Sequence, residues 1–265
     1  MENNQWLTAN KELWNKRTGI HINSEFYNLN DFRKGNQVLC STELTELGSV
    51  KDKVLLHLQC HFGMDTLSWA MQGAKVTGVD FSDEAIAKAK GLAAEMKMDA
   101  QFVCCNVYDV LEHKLPKHDI VFTSYGTIGW LPDLRKWAEI IAGSLKPGGI
   151  FYMIDFHPIV WMLDNKFTFI QYSYFNKEVI KETESGTYAD ENADINLESY
   201  GWNHSTSDLL NALISNGLRL EFFNEHDFSH YNCFANTVQI ANDKWQIKGL
   251  EGKIPMMYSL QAVKG

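Results

Sequence analysis

Between residues 53 and 155 five short apolar runs alternate with helical segments, and this alternation constrains the fold more than anything else in the chain. The runs cover 53–58, 75–79, 101–105, 119–124 and 150–155. Each is too short for a buried helix and lacks the polar alternation of a half-exposed strand, which predicts strands covered on both faces. The intervening stretches 65–71, 82–97 and 134–144 have helical spacing, and Ser82-Asp83-Glu84 supplies an N-cap and two acids for a positive first turn. Strands and helices in strict turn predict a doubly wound, mostly parallel α/β sheet. Runs at 219–223 and 257–263 bring the expected strand number to seven. In such sheets ligands sit outside the carboxyl ends of the strands, at 57–63, 80–82, 105–109, 123–130 and 155–161.

The rest of the chain decorates that sheet. Residues 1–50 read as an N-terminal helical cover, with Trp6, Leu7, Leu13 and Trp14 at helical spacing and Gly48 as a helix stop. Residues 51–265 form the main domain. An insertion of about 159–203 reads as a lid hairpin, β-type over 167–175 with a loose acidic tip over 182–194. A further helix is expected over 205–216, and Lys146-Pro147-Gly148-Gly149 reads as a tight turn before the fifth strand.

Charge and cysteines exclude several functions. A net charge of −9 over 265 residues, with no basic run, predicts no nucleic-acid partner. The five cysteines are odd in number and form no CxxC pair, so neither a disulfide framework nor a zinc site is expected. No apolar leader and no membrane-length run is present, which predicts a cytoplasmic protein, monomeric or homodimeric.

The first strand ends in His57-Leu58-Gln59-Cys60-His61-Phe62-Gly63. Gly63 permits the sharp strand-to-helix turn, and the helix N-terminus beyond it can face a carboxylate. One unit later, Val76-Thr77-Gly78-Val79-Asp80-Phe81-Ser82 places an acid at the tip of the second strand. Asp80 suits a ribose diol, and Phe81 can stack on a purine. His57 and His61 flank Cys60, but a sharp turn does not converge them on a metal.

These two segments, followed by Leu145-Lys146-Pro147-Gly148-Gly149, resemble the ordered motifs of class I S-adenosylmethionine-dependent methyltransferases over roughly residues 50–156. The resemblance implies S-adenosylmethionine as cofactor, S-adenosylhomocysteine as product, and no metal. It is nearest to a bacterial subgroup with a variant first loop: such enzymes usually carry an acid where His57 stands and glycines where Gln59 and His61 stand. Either the cofactor sits differently, or Gln59 and His61 point away from it. The resemblance also implies that Asn106 and Val107 meet the adenine, that the fourth-strand tip at Ser124 flanks the methionine part, and that Tyr27 folds across the cofactor or packs on the flank.

Methyl transfer asks the protein to position a nucleophile and, where needed, to take its proton. His157, beside Asp155, is the first candidate base and His204 the second. Tyr125, Trp130, Trp161, Trp202 and Tyr231 are candidate substrate contacts, forming an aromatic mouth for a small flat or cationic acceptor. The expected activity is methylation of a small-molecule oxygen or nitrogen. The alternatives are a methyltransferase of tRNA or protein, and a non-enzymatic S-adenosylmethionine-binding protein.

Overall fold

The computed structural model describes residues 2–265. In chain order its helices and strands are α1 (Glu2–His21), α2 (Leu29–Phe32), α3 (Ser41–Leu47), β1 (Val54–Leu58), α4 (Met64–Met71), β2 (Lys75–Asp80), α5 (Asp83–Glu95), β3 (Ala100–Cys104), β4 (His118–Ser124), α6 (Leu134–Ser144) and β5 (Leu145–Phe156). Then follow β6 (Ile180–Ser185), β7 (Asn196–Gly201), α7 (Thr206–Ser215), β8 (Leu218–His226), β9 (Thr237–Ala241), β10 (Lys244–Ile247) and β11 (Met257–Lys264). Among the described residues, seven strands make one sheet in the order β3-β2-β1-β4-β5-β11-β8, with β11 antiparallel to both neighbours. The strand order reverses between β1 and β4, so their carboxyl ends diverge into a crevice.

Alternation along the strands feeds two cores. Leu55, Ile120, Phe122, Tyr152 and Ile154 pack with Trp69 of α4 and with α3 on one face. Leu56, Leu58, Val121, Phe151 and Met153 pack with Trp137 and Ile141 of α6 and Leu209 and Leu213 of α7 on the other. Each side chain fully buried this way contributes roughly 1.5–3 kcal/mol. Three helices on the sheet begin on side-chain caps: Ser82 Oγ accepts from Ala85 N at 3.0 Å, Asp133 Oδ1 from Arg135 N at 2.9 Å, and Ser205 Oγ from Asp208 N at 3.2 Å.

Four expectations need correction. The Lys146–Gly149 segment is not a turn outside the strand. It is a bulge within β5, because β4 advances from His118 to Ile120 while β5 advances from Leu145 to Ile150. The helical stretch before Leu47 is two short helices, with residues 36–40 non-helical between them. In the insertion, 167–175 forms no strand. The hairpin is β6 with β7, so the acidic segment from Glu182 is partly paired strand. A second hairpin, β9 with β10, lies between β8 and β11 and has no counterpart in the sequence reading.

The α1 helix crosses the carboxyl edge of the sheet. Lys11 Nζ lies 2.8 Å from Asp83 Oδ1, and Ser82 Oγ donates to Asn15 Oδ1 at 2.6 Å. On its other side Asn10 donates from Nδ2 to Tyr200 O at 2.7 Å and accepts from Tyr200 N at 2.9 Å, completing the edge pairing of β7. No helix among the described residues is long and apolar enough to cross a membrane.

Candidate functional site

A cavity of about 960 Å³ opens at the carboxyl ends of β1, β2, β4 and β5, beneath α1 and the β6–β7 hairpin. Small-molecule sites span roughly 300–1,000 Å³, so this one can hold two ligands of modest size side by side.

The first loop forms its floor. Gln59, His61 and Gly63 have φ of 58°, 51° and 82°. The backbone thus keeps the left-handed turns that glycine favours, although two of the three residues carry side chains. Those side chains have other work. Gln59 Nε2 donates to Thr127 O at 2.9 Å, bridging to the β4 loop, while its Oε1 is buried without a hydrogen-bond partner. His61 packs edge-on against Trp14 of α1 at 5.3 Å and His21 at 5.2 Å, and lies against Tyr27 at 5.6 Å. Bulk in this loop therefore packs against α1 and the segment after it.

At the β2 tip, Asp80 Oδ2 accepts from His61 N and Oδ1 from Ser82 N, both at 2.9 Å. Two amides fix the carboxylate in place and leave each oxygen a further lone pair. Burial pushes its pKa up to about 6, against the pull of those hydrogen bonds. Phe81 adjoins it on the cavity wall.

At the β1–β4 crevice a chain of polar groups runs inward. Ser124 Oγ donates to Asp65 Oδ2 at 2.9 Å, which leaves His57 Nε2, 3.4 Å away, as the donor to Ser124. His57 Nδ1 then accepts from Thr66 Oγ1 at 2.8 Å. Burial holds the imidazole neutral, with its pKa near 3, and pushes the Asp65 carboxyl up to about 6. Beside this chain the Tyr125 hydroxyl donates to Glu43 Oε2, and Glu43 Oε1 accepts from Cys40 N at 3.0 Å. Glu43 is completely buried. That burial, with the Asp65 charge, raises its pKa to about 8.

The structure brings Tyr27, His57, Gln59, Gly63, Asp80, Phe81 and Ser124 to this one cavity. Tyr125, Trp130, Trp161, Trp202, His204 and Tyr231 line it as well. Asn106 and Val107 are not among the lining residues. The Asn106 carbonyl caps a 3-10 turn by accepting from Tyr108 N at 3.2 Å, and Val107 is packed in the α6 core. His157 also lies off the cavity: its Nε2 sits 3.0 Å from Glu225 of β8, and its Nδ1 accepts from Ile159 N. Asp155 does not orient it. The Asp155 carboxylate accepts instead from the amides of Gly126, Thr127 and Ile128, holding the β4 loop. His204 stays at the wall, its Nε2 donating to Leu131 O at 2.7 Å, which leaves Nδ1 as the basic atom.

Several residues of the wall, and Glu43 behind it, carry no such signal in the sequence. Asp65 looks like an ordinary first-turn acid, and Glu43 like a helix-surface glutamate. Tyr188, whose hydroxyl lies 2.5 Å from that of Tyr27, falls in the acidic stretch 182–194, whose composition reads as a loose tip. Trp14 and Arg17 are on α1, and the Arg17 guanidinium lies over the rings of Trp14 and Trp130 at 5.0 and 5.5 Å. The i, i+3 spacing of Trp14 and Arg17 was a legible signal that this helix turns a stacked face inward. Among the described residues, no group of three or more His, Cys, Asp or Glu side chains is placed to hold a metal ion.

Residues 56–151 match the methyltransferase domain family. The ubiquinone biosynthesis O-methyltransferase of Coxiella burnetii (strain Dugway 5J108-111) is 30% identical over 101 residues, 38% of this chain and 42% of that enzyme. The chain thus spans about half or less of the length of the curated relatives it matches. An S-adenosylmethionine-dependent methyltransferase from Clostridium acetobutylicum superposes over 96% of this chain and 99% of its own, with a TM-score of 0.58 at 14% identity. Geranyl diphosphate C-methyltransferase from Streptomyces coelicolor A3(2), solved with Mg2+, geranyl diphosphate and S-adenosyl-L-homocysteine, superposes over 84% of this chain and 77% of its own, with a TM-score of 0.56 at 16% identity. Residues 56–151 therefore carry the match to the methyltransferase domain family, and the chain around them has the class I S-adenosylmethionine-dependent methyltransferase fold.

Proposed function

We propose that this chain is an S-adenosylmethionine-dependent methyltransferase acting on a small-molecule oxygen or nitrogen acceptor. The observation that carries the reading is the Asp80 carboxylate, fixed by two amides at the tip of β2 on the floor of the cavity. A carboxylate held there with lone pairs to spare suits the two hydroxyls of a ribose. The buried Gln59 Oε1 and the Asp65 carboxylate supply acceptors for an ammonium group at the β1–β4 crevice, and the N-terminus of α4 favours a carboxylate. Phe81 offers a face to the adenine. The cofactor, when bound, brings the activated methyl group. The protein's share is to orient the acceptor against it and to exclude water.

The acceptor would occupy the aromatic part of the cavity, between Tyr125, Trp130, Trp202 and Tyr231. In this reading α1 acts as a cover and the β6–β7 hairpin as a lid, and the enclosure favours a small acceptor over tRNA or protein. The Coxiella relative, named as an O-methyltransferase, supports an oxygen acceptor.

Titration calorimetry with S-adenosylhomocysteine tests the cofactor. Binding is expected, and Asp80→Ala should weaken it about 10- to 100-fold, the loss of charge-assisted hydrogen bonds worth roughly 1.5–3 kcal/mol. No heat of binding to the wild-type protein would overturn the reading.

A further inference from the structure

We propose that Tyr125 and Glu43 form a proton-accepting pair for a hydroxyl acceptor, with Tyr125 touching the acceptor and Glu43 holding the proton behind it. The inference rests on the methyl-transfer reading above and narrows it to a neutral hydroxyl.

Geometry comes first. Tyr125 follows the last residue of β4 with φ of 35°, a left-handed turn that swings its side chain off the strand onto the cavity wall. Its ring meets Tyr231 edge-on at 4.8 Å, and its hydroxyl donates to Glu43 Oε2. The donor hydrogen therefore points inward to Glu43, and the oxygen keeps lone pairs for another donor. Glu43 is not a lining residue and is fully buried, so it exchanges a proton with the cavity through Tyr125. Its position is fixed from the other side by Cys40 N, and Thr42, its neighbour on α3, is tied to His230 Nε2 at 2.8 Å.

The groups around Glu43 set its proton affinity. They are Cys40 and Tyr125, Asp65 from α4, Tyr152 from β5 and Tyr231 from the loop after β8. Cys40 Sγ is bonded to the Tyr231 hydroxyl at 3.7 Å and Tyr152 to Glu46 at 2.8 Å, so none of these supplies a cation. A carboxyl pushed up to about 8 is a stronger base than an ordinary carboxylate and is matched to near-neutral pH.

Charge in the cavity selects the acceptor's form. Asp65, Asp80, Asp155, Asp164, Glu182 and Glu191 line it, and Arg17 is the one basic side chain other than histidine among the lining residues. Such a wall disfavours an acceptor that arrives as an anion. A hydroxyl must then enter neutral and give up its proton as it reacts. The acceptor O–H bond breaks, with its proton passing to Tyr125 Oη while the Tyr125 proton passes to Glu43 Oε2. The pair left on the acceptor oxygen forms the new O–C bond, and the pair of the broken C–S bond stays on sulfur. The proton released by the reaction ends on Glu43.

The test uses the full chain, S-adenosylmethionine, and catechol, phenol, 4-nitrophenol and tyramine as acceptor probes. Two readouts are compared: the rate of methyl transfer against pH, and the titration of the Glu43 carboxyl by 13C NMR in the S-adenosylhomocysteine complex. The expected result is an O-methylated product, a rate that rises with pH through the NMR midpoint of Glu43, and loss of that rise in Glu43→Gln. Tyr125→Phe should lower the rate at least about 100-fold while S-adenosylhomocysteine affinity stays within about twofold. A rise that persists in Glu43→Gln, or a Tyr125→Phe rate within about threefold of wild type, overturns the pair. So does turnover at the tyramine nitrogen alone, or no turnover of any probe by protein that binds S-adenosylhomocysteine. Failure to bind S-adenosylhomocysteine strikes the methyltransferase reading instead.

Discussion

Asp80 Oδ2 accepts the backbone N–H of His61 at 2.9 Å, so the tip of β2 and the loop after β1 are locked to each other at the floor of the cavity. The lock requires the backbone at His61 to turn left-handed, which it does with φ of 51°. Shape in this loop comes from hydrogen bonding and packing where glycine would give it freely.

Two glycines do keep their own reasons. A Cβ on Gly78 would stand 2.7 Å from the Phe102 ring and 2.8 Å from Cys60 Sγ, and a Cβ on Gly63 would stand 2.7 Å from the same ring. Gly78→Ala should cost about 1–3 kcal/mol by overpacking. Gly63→Ala should cost roughly 1–2 kcal/mol more, because its φ of 82° is left-handed. Urea denaturation measures both. Equal losses for the two would refute the contribution assigned to the backbone.

Glu43 should leave a signature in stability against pH. Its carboxyl moves from an ordinary 4.5 to about 8 on folding, so between those values the folded state keeps a proton that the unfolded state has released. Stability therefore falls as pH rises through that window. His21, His57 and His61, pushed down to about 2, 3 and 3, act in the opposite direction, and since each is still about half protonated at 6.5 in the unfolded chain, their pull fades only over the pH unit above it. Asp65 and Asp80, raised to about 6, act in the same direction as Glu43 and fade above that value. Glu43 contributes a falling slope of at most about 1.4 kcal/mol per pH unit, which the difference between wild type and Glu43→Gln isolates from the opposing histidines. Glu43→Gln should flatten it, and denaturant midpoints at pH 6.5, 7.2 and 8 would show whether it does.

His61→Gly should relax the loop and loosen the cover. The change removes the contacts of His61 with Trp14, His21 and Tyr27 while suiting the φ of 51°. Amide exchange in α1 is expected to rise severalfold, with exchange in β1 and β2 unchanged. Unaltered protection of α1 would mean that the Lys11–Asp83 and Asn10–Tyr200 contacts hold the cover without it.

The core sheet was legible because each strand is a local pattern: 53–58 and 119–124 announce buried strands by composition alone. The place of Asp80 at a strand tip on the cavity floor was legible for the same reason. Glu43 and Asp65 were not. Each becomes notable only when chain distant in sequence, Tyr125 or Ser124, arrives beside it. The place of His157 was not legible: its neighbour Pro158 reaches the cavity, whereas one residue earlier the side chain turns to Glu225 on β8. Nor was the local bond of Asn106 legible, whose side-chain carbonyl accepts from the amide of Tyr108. Hairpin β6–β7 was misplaced because its strands, Ile180–Ser185 and Asn196–Gly201, are polar, and the aromatic run before them has the higher β propensity.

Asn10 hydrogen-bonds the Tyr200 backbone in both directions, so α1 and the β6–β7 hairpin are one piece of roof. That piece is also seamed at its inner edge by the Tyr27 and Tyr188 hydroxyls. A molecule entering through it displaces both halves or neither. A ligand admitted by lifting this roof would break the Asn10–Tyr200 and Tyr27–Tyr188 contacts together, so its entry and its escape would meet the same barrier.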